Sequence, residues 1–194
     1  MKGRREIRFI VGFLLAIALV IVLFVRIFFS NGGSHNGIVN QPAPLASYAV
    51  NPTAEVSMLI DGPVNAESEH NQIQIVVTNI GTTINIFQGY NDQLVSTHYF
   101  ALSESGFHVF LRSLEYAKFT SGVNDPQLGQ ASGYCPLGDR YIFAFSVNGQ
   151  QQWRHWVDNC NGDPQTFTGN LNLTLQLFEN QVPNYGNIVS GLNI

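Results

Sequence analysis

The chain has 194 residues, with 9 Lys and Arg against 13 Asp and Glu, a length that suits one domain plus additional segments. The charges are segregated. Five of the nine basic residues fall in the first 26 positions, whereas from Leu45 onward four cations (Arg112, Lys118, Arg140, Arg154) stand against twelve acids, a net of −8. A body this acidic repels phosphate, which argues against a nucleic-acid partner.

Residues 1–8 form a basic tail, and residues 9–29 form an apolar stretch of 21 residues broken only by Arg26 near its end. As a helix this stretch would be about 31 Å long, enough to cross a bilayer, with the Arg26 stem reaching back to the headgroups. It is longer than the ~7–15 residues of a signal-peptide core, and no A-x-A site closely follows it, so an uncleaved anchor is expected. Lys2, Arg4, Arg5 and Arg8 precede the span, and no Lys or Arg lies between Arg26 and Arg112. The positive-inside rule then predicts a single-pass protein of the cytoplasmic membrane, held in the lipid bilayer through residues 9–29. Its amino terminus faces the cytoplasm and its carboxy-terminal part lies outside. Residues 30–52, rich in Gly, Asn, Ser and Pro, read as a flexible linker with a mean reach of about 25 Å.

Residues 53–194 read as an extracytoplasmic domain. Glu55–Val64 is apolar enough for a strand. Gln72–Thr78 and Thr82–Phe87 alternate through Ile73, Ile75, Ile84 and Ile86, and Leu94–Ala101 is rich in β-branched and aromatic residues. Short turns between them predict an antiparallel meander. The period then changes. Ser103 is placed to cap a helix over about 104–118, whose apolar face would be Phe107, Phe110, Leu111 and Leu114. Phe119–Tyr134 is a long connection carrying Gly, Ser and Asn.

Cys135–Cys160 is the most informative segment. It holds both cysteines, both tryptophans and an Asn148-Gly149 pair that suits the positive φ values of a type I′ hairpin turn. Zipped outward without a break, Val147 faces Gln150, Phe145 faces Gln152, Phe143 faces Arg154 and Tyr141 faces Trp156. Tyr141, Phe143, Phe145 and Val147 would share one face, and Ile142, Ala144 and Trp153 the other. Apolar groups on both faces suggest a central pair covered on both sides. Cys160 falls opposite Leu137, close enough to Cys135 for a disulfide, and two cysteines outside the membrane are expected to pair. Near the end, Leu171, Leu173, Leu175 and Leu177 alternate like a strand, while Leu171, Leu175, Phe178 and Val182 mark a helix face. Thr168 as a cap and Pro183 as a stop favour a helix at about 169–181. The resulting order is β-β-β-β-α-β-β-α, an α+β domain of about six antiparallel strands and two helices with one disulfide.

Candidate chemistry is sparse. The histidines (His35, His70, His98, His108, His155) are scattered, with no H-E-x-x-H and no carboxylate–histidine cluster. Asp158–Asp163 has the look of a calcium loop but lacks its spacing and its distal Glu. No catalytic residue, metal ligand or cofactor is assigned. What remains is Trp153, Arg154, His155 and Trp156 on the second hairpin strand, where an exposed tryptophan beside an arginine would stack on a sugar or a peptide. The plainer alternative is that both tryptophans belong to the core and Arg154 pairs with an acid. The function expected from the sequence is a membrane-anchored extracytoplasmic interaction or binding module, a component of a cell-envelope assembly, with another envelope protein or a surface glycan as its partner. An envelope hydrolase, or a regulator of one, is the alternative.

Overall fold

The computed structural model describes residues 43–160 and 162–194. The basic tail, the apolar stretch 9–29 and residues 30–42 of the linker lie outside the described residues. Among the described residues, no helix is long and apolar enough to cross a membrane. The compact unit begins at Ala43.

Six strands, β1 (Glu55–Asp61), β2 (Asn71–Thr78), β3 (Gly81–Gln88), β4 (Gln93–Ala101), β5 (Arg140–Val147) and β6 (Gln150–Asp158), form one antiparallel sheet in the order β4-β3-β2-β1-β5-β6. The helices are α1 (Glu104–Tyr116), α2 (Leu171–Glu179) and α3 (Tyr185–Ile188). Strand alternation puts Val56, Met58 and Ile60 of β1 on the same face as Ile73, Ile75 and Val77 of β2 and Phe143 and Phe145 of β5. This inner face packs against Phe107, Phe110, Leu111 and Leu114 of α1 and Phe178 of α2, all buried. Phe119, just beyond α1, joins the layers, with ring centroids 5.7 Å from Phe143 and 5.8 Å from Phe178. Each such side chain stabilises the fold by about 1.5–3 kcal/mol through burial. The outer face of β2, β3 and β4 is polar instead. Thr97 Oγ1 donates to Asn85 Oδ1 at 2.8 Å, and Asn85 Nδ2 donates to Gln74 Oε1 at 3.2 Å.

The helices start where local chemistry allows. Ser103 Oγ accepts the Gly106 N–H and opens α1. The leucine-rich segment is a helix rather than a strand, and its cap is Asn170, not Thr168: Asn170 Oδ1 accepts the Leu173 N–H at 3.1 Å. Thr168 is occupied elsewhere, its N–H donating to the Ser121 carbonyl. The short α3 is a third helix beyond the two that the sequence predicts. It follows Pro183, and its cap Asn184 adopts φ +57°, a left-handed turn that asparagine tolerates. Within the stretch read as linker, Leu45–Tyr48 is a 3-10 turn docked on α1. Leu45 and Ala49 are buried there, and the Ala46 N–H donates to Glu115 Oε1 at 3.0 Å.

The β5–β6 hairpin departs from the continuous zipper. Asn148 and Gly149 take φ +55° and +70° as the turn requires, and Val147 faces Gln150. Beyond Ser146↔Gln151, however, the register shifts and Phe145 faces Trp153, leaving Gln152 as a bulge. A one-residue slip exchanges faces. Trp153 therefore lies with Phe145 on the inner face rather than with Ala144. Trp156 lies opposite Ile142 on the outer face rather than opposite Tyr141, and Arg154 faces Ala144 rather than Phe143. Nor are both hairpin strands central: β5 is interior, while β6 is the last strand of the sheet. The disulfide Cys135–Cys160 closes the open end of the hairpin, with a Cα–Cα distance of 5.6 Å.

Candidate functional site: a cleft beside the edge of β6

The bulge distributes the four suspected residues among different environments. Trp156, 1% exposed, is enclosed by Ala131, Ile142 and the ring of Tyr134, which stacks on it at 5.0 Å. Its Nε1 donates to the Leu128 carbonyl at 2.7 Å. His155, 4% exposed, lies flat beside Trp153 at 5.4 Å and so close to Gly122 that a Cβ there would run into its ring. Its Nδ1 is buried without a hydrogen-bond partner among the described residues, and burial holds its pKa below the ordinary imidazole value. Neither Trp156 nor His155 is presented to a ligand. Trp153 and Arg154 are both half-buried and do border a cleft.

That cleft, about 360 Å³, has Gln151, Trp153, Arg154 and Thr166 along one side and the loop from Val123 to Gly129 along the other. The loop is held in place at three points. Trp156 grips the Leu128 carbonyl, Arg154 Nη1 donates to the Gly129 carbonyl at 2.9 Å, and Val123 N–H donates to the Thr166 carbonyl at 2.8 Å. Asp125 caps the 3-10 turn Pro126–Leu128 by accepting the Gln127 N–H. Arg154 does not pair with an acid. The described residues contain ion pairs only among Asp61, His70 and Arg140. The Arg154 pKa is lowered, by burial alone, with no carboxylate acting to raise it.

The backbone at this edge is half used. Trp156 N–H donates to Thr166 Oγ1 at 2.8 Å, and its carbonyl accepts from the Thr166 and Phe167 N–H groups at 3.0 and 2.9 Å. Trp156 thus directs both groups away from β5, so Ile142↔Trp156 is a pair without mutual hydrogen bonds. Two residues back, Ala144↔Arg154 is of the same kind, and the Arg154 N–H and C=O also point outward. No backbone group of the described residues meets them.

A second polar cluster corrects the reading that no carboxylate–histidine cluster occurs. Asp61, at the end of β1, takes Arg140 Nε and Nη2 on Oδ2, both at 2.9 Å. Its Oδ1 lies 3.2 Å from His70 Nε2 and accepts Gln72 Nε2 at 3.1 Å. Arg140 Nη2 also donates to the Gly62 carbonyl at 2.7 Å, and His70 is buried beneath Tyr90. The cluster ties the ends of β1, β2 and β5 together, and its histidine has no opening to a substrate. A third convergence, Cys135, Asp158 and Cys160, has ligand-type residues at close range, but its sulfurs are bonded to each other. There Asp158 Oδ1 accepts the Cys160 N–H, and Oδ2 is buried without a partner among the described residues. Burial is the main cause of its raised pKa.

Of the cleft, the sequence exposed Trp153, Arg154 and the length of the loop that follows Phe119. Gln151 and Thr166 carried no signal, because they enter through the edge geometry of β6. No protein-family profile matches the chain, and neither the curated proteins nor the solved structures yield a match.

Proposed function

We propose that this chain is a binding module displayed on the outer face of the cytoplasmic membrane, and that the cleft beside β6 is its binding site. The observation that carries the reading is Arg154. Its guanidinium is half-buried at the cleft wall and holds one neutral carbonyl, with no carboxylate in ion-pair reach among the described residues. A desolvated cation left without a counter-charge is costly in a structural role and useful in a binding one. The basic tail and apolar stretch 1–29 supply the anchor in this proposal, and the acidic charge of the remainder keeps the module off anionic lipid.

A photo-crosslinking residue at Gln151, an exposed position on the cleft, tests the reading in native membranes. The proposal expects a discrete adduct from position 151, none from the exposed Glu69 on the β1–β2 loop, and a yield reduced about tenfold in Arg154→Met. No adduct at 151, or an equal adduct at 69, would remove the cleft as the binding site.

A further inference from the structure

We propose that the ligand of this cleft is an extended peptide bearing a carboxylate, which adds to the open edge of β6 and places that carboxylate on Arg154. The inference rests on the binding-module reading above and names the chemical class of the partner.

The edge supplies the first argument. At Trp156 the outward N–H and C=O of β6 are met by Thr166 and Phe167, a short segment that also makes an antiparallel bridge with Gly122. Thr166 itself lines the cleft. The row of outward backbone groups therefore continues from the occupied position at Trp156 into the cleft at Arg154, where it is open. An extended peptide satisfies such a row with its own main chain, as in strand addition to a sheet edge.

The side chains supply the second argument. Arg154 offers Nε and Nη2 without partners among the described residues, so a carboxylate can reach it while Nη1 keeps its bond to the Gly129 carbonyl. Asp125, the acid that also lines the cleft, already accepts the Gln127 N–H, and Gln151 adds a neutral polar group. Trp153 argues against a glycan. A sugar stacks on a free aromatic face, but the Trp153 ring has His155 stacked beside it at 5.4 Å and Phe119 edge-on at 4.5 Å. The indole then serves as an apolar wall for a peptide side chain.

The test uses the full chain in detergent micelles and fluorescent peptides of alternating Thr and Val. One peptide is capped at both ends with a central Glu, and a second is capped with a central Gln. A third has the central Gln and a free carboxy terminus, and a fourth is the Glu peptide N-methylated at alternate amides. The proposal expects the Glu peptide, the free-carboxylate peptide, or both to bind about tenfold more tightly than the capped Gln peptide. Which of the two wins tells a side-chain carboxylate from a terminal one. N-methylation should abolish binding, Arg154→Met should level the Glu and Gln peptides, and Arg154→Lys should restore part of the difference. Binding of both the capped Glu peptide and the free-carboxylate peptide no tighter than that of the capped Gln peptide, full binding after N-methylation, or no binding of any peptide overturns the proposal. The Gln151 adduct separates the two readings. An adduct that no peptide displaces removes the acidic strand and leaves the binding module, whereas no adduct at all removes both.

Discussion

Trp156 Nε1 donates a 2.7 Å hydrogen bond to the Leu128 carbonyl, so a buried side chain of β6 holds the loop that walls the cleft. Trp156→Phe keeps most of the buried ring and loses that bond, and should destabilise the fold by about 1–2 kcal/mol. Trp156→Ala should lose about 3–5 kcal/mol by emptying the space between Tyr134 and Ile142. Urea unfolding measures both. In Trp156→Phe, amide exchange should also quicken in the loop from Val123 to Gly129 more than in α1. A uniform change would mean that the bond does not hold the loop.

The pair Asp61–Arg140 should behave as a structural anchor. Asp61→Asn leaves a buried guanidinium without its charge partner and should destabilise the fold by about 3 kcal/mol. Replacing both residues by apolar side chains of similar volume should cost less than the single change, because the stranded charge is gone. Thermal unfolding of the single and double variants decides it, and additive losses would count against a coupled pair.

Cys135 and Cys160 close a loop with a sequence separation of 25, and Cys135→Ala with Cys160→Ala should lower stability by about 3–4 kcal/mol. For a domain of this size that loss corresponds to a Tm lower by roughly 10 °C. Thiol labelling of the folded protein without reductant should find no reactive cysteine.

Two buried groups contribute to the pH dependence of stability with opposite signs. His155 has its pKa lowered from 6.5 by burial, so below that value the unfolded chain binds a proton that the folded chain resists. Its contribution is complete above 6.5 and is lost as the pH falls towards the lowered folded value. Asp158 has its pKa raised from 3.8, chiefly by burial, so the folded chain holds the proton longer. Its effect is a loss of stability as the pH rises through the window between 3.8 and the raised value. Denaturant titrations at several pH values should show the decline below 6.5 flattened in His155→Gln. An unchanged slope would assign the decline to another group.

Much of the fold is legible in the sequence, for reasons that particular residues make clear. The isoleucines of β2 and β3 alternate, Ser103 stands immediately before a helix with an apolar face, and Asn148-Gly149 marks its turn. All of these act through neighbours in the chain. The bulge at Gln152 was not legible. Nothing local distinguishes Gln150, Gln151 and Gln152, and the choice is made by packing. The shift sets Trp153 against Phe119 and Phe145, and Trp156 against Ile142 and Tyr134. The same shift decides which residues of the tryptophan segment reach the cleft, so the site could be narrowed to a strand but not to its two half-exposed members. His70 and Asp61, nine positions apart in sequence, meet only because β1 and β2 pair. Thr166 reaches the edge of β6 only through long-range backbone bonds.

The central claim is that the open edge of β6 at Arg154 receives an extended acidic strand. Hydrogen–deuterium exchange on the full chain, with and without whichever of the two carboxylate peptides binds more tightly, tests it most directly. The account predicts slowed exchange confined to β6 around Arg154 and to the loop from Val123 to Gly129, and absent with the capped Gln peptide. Protection at β4, the opposite edge of the sheet, or no change at Arg154, would contradict it.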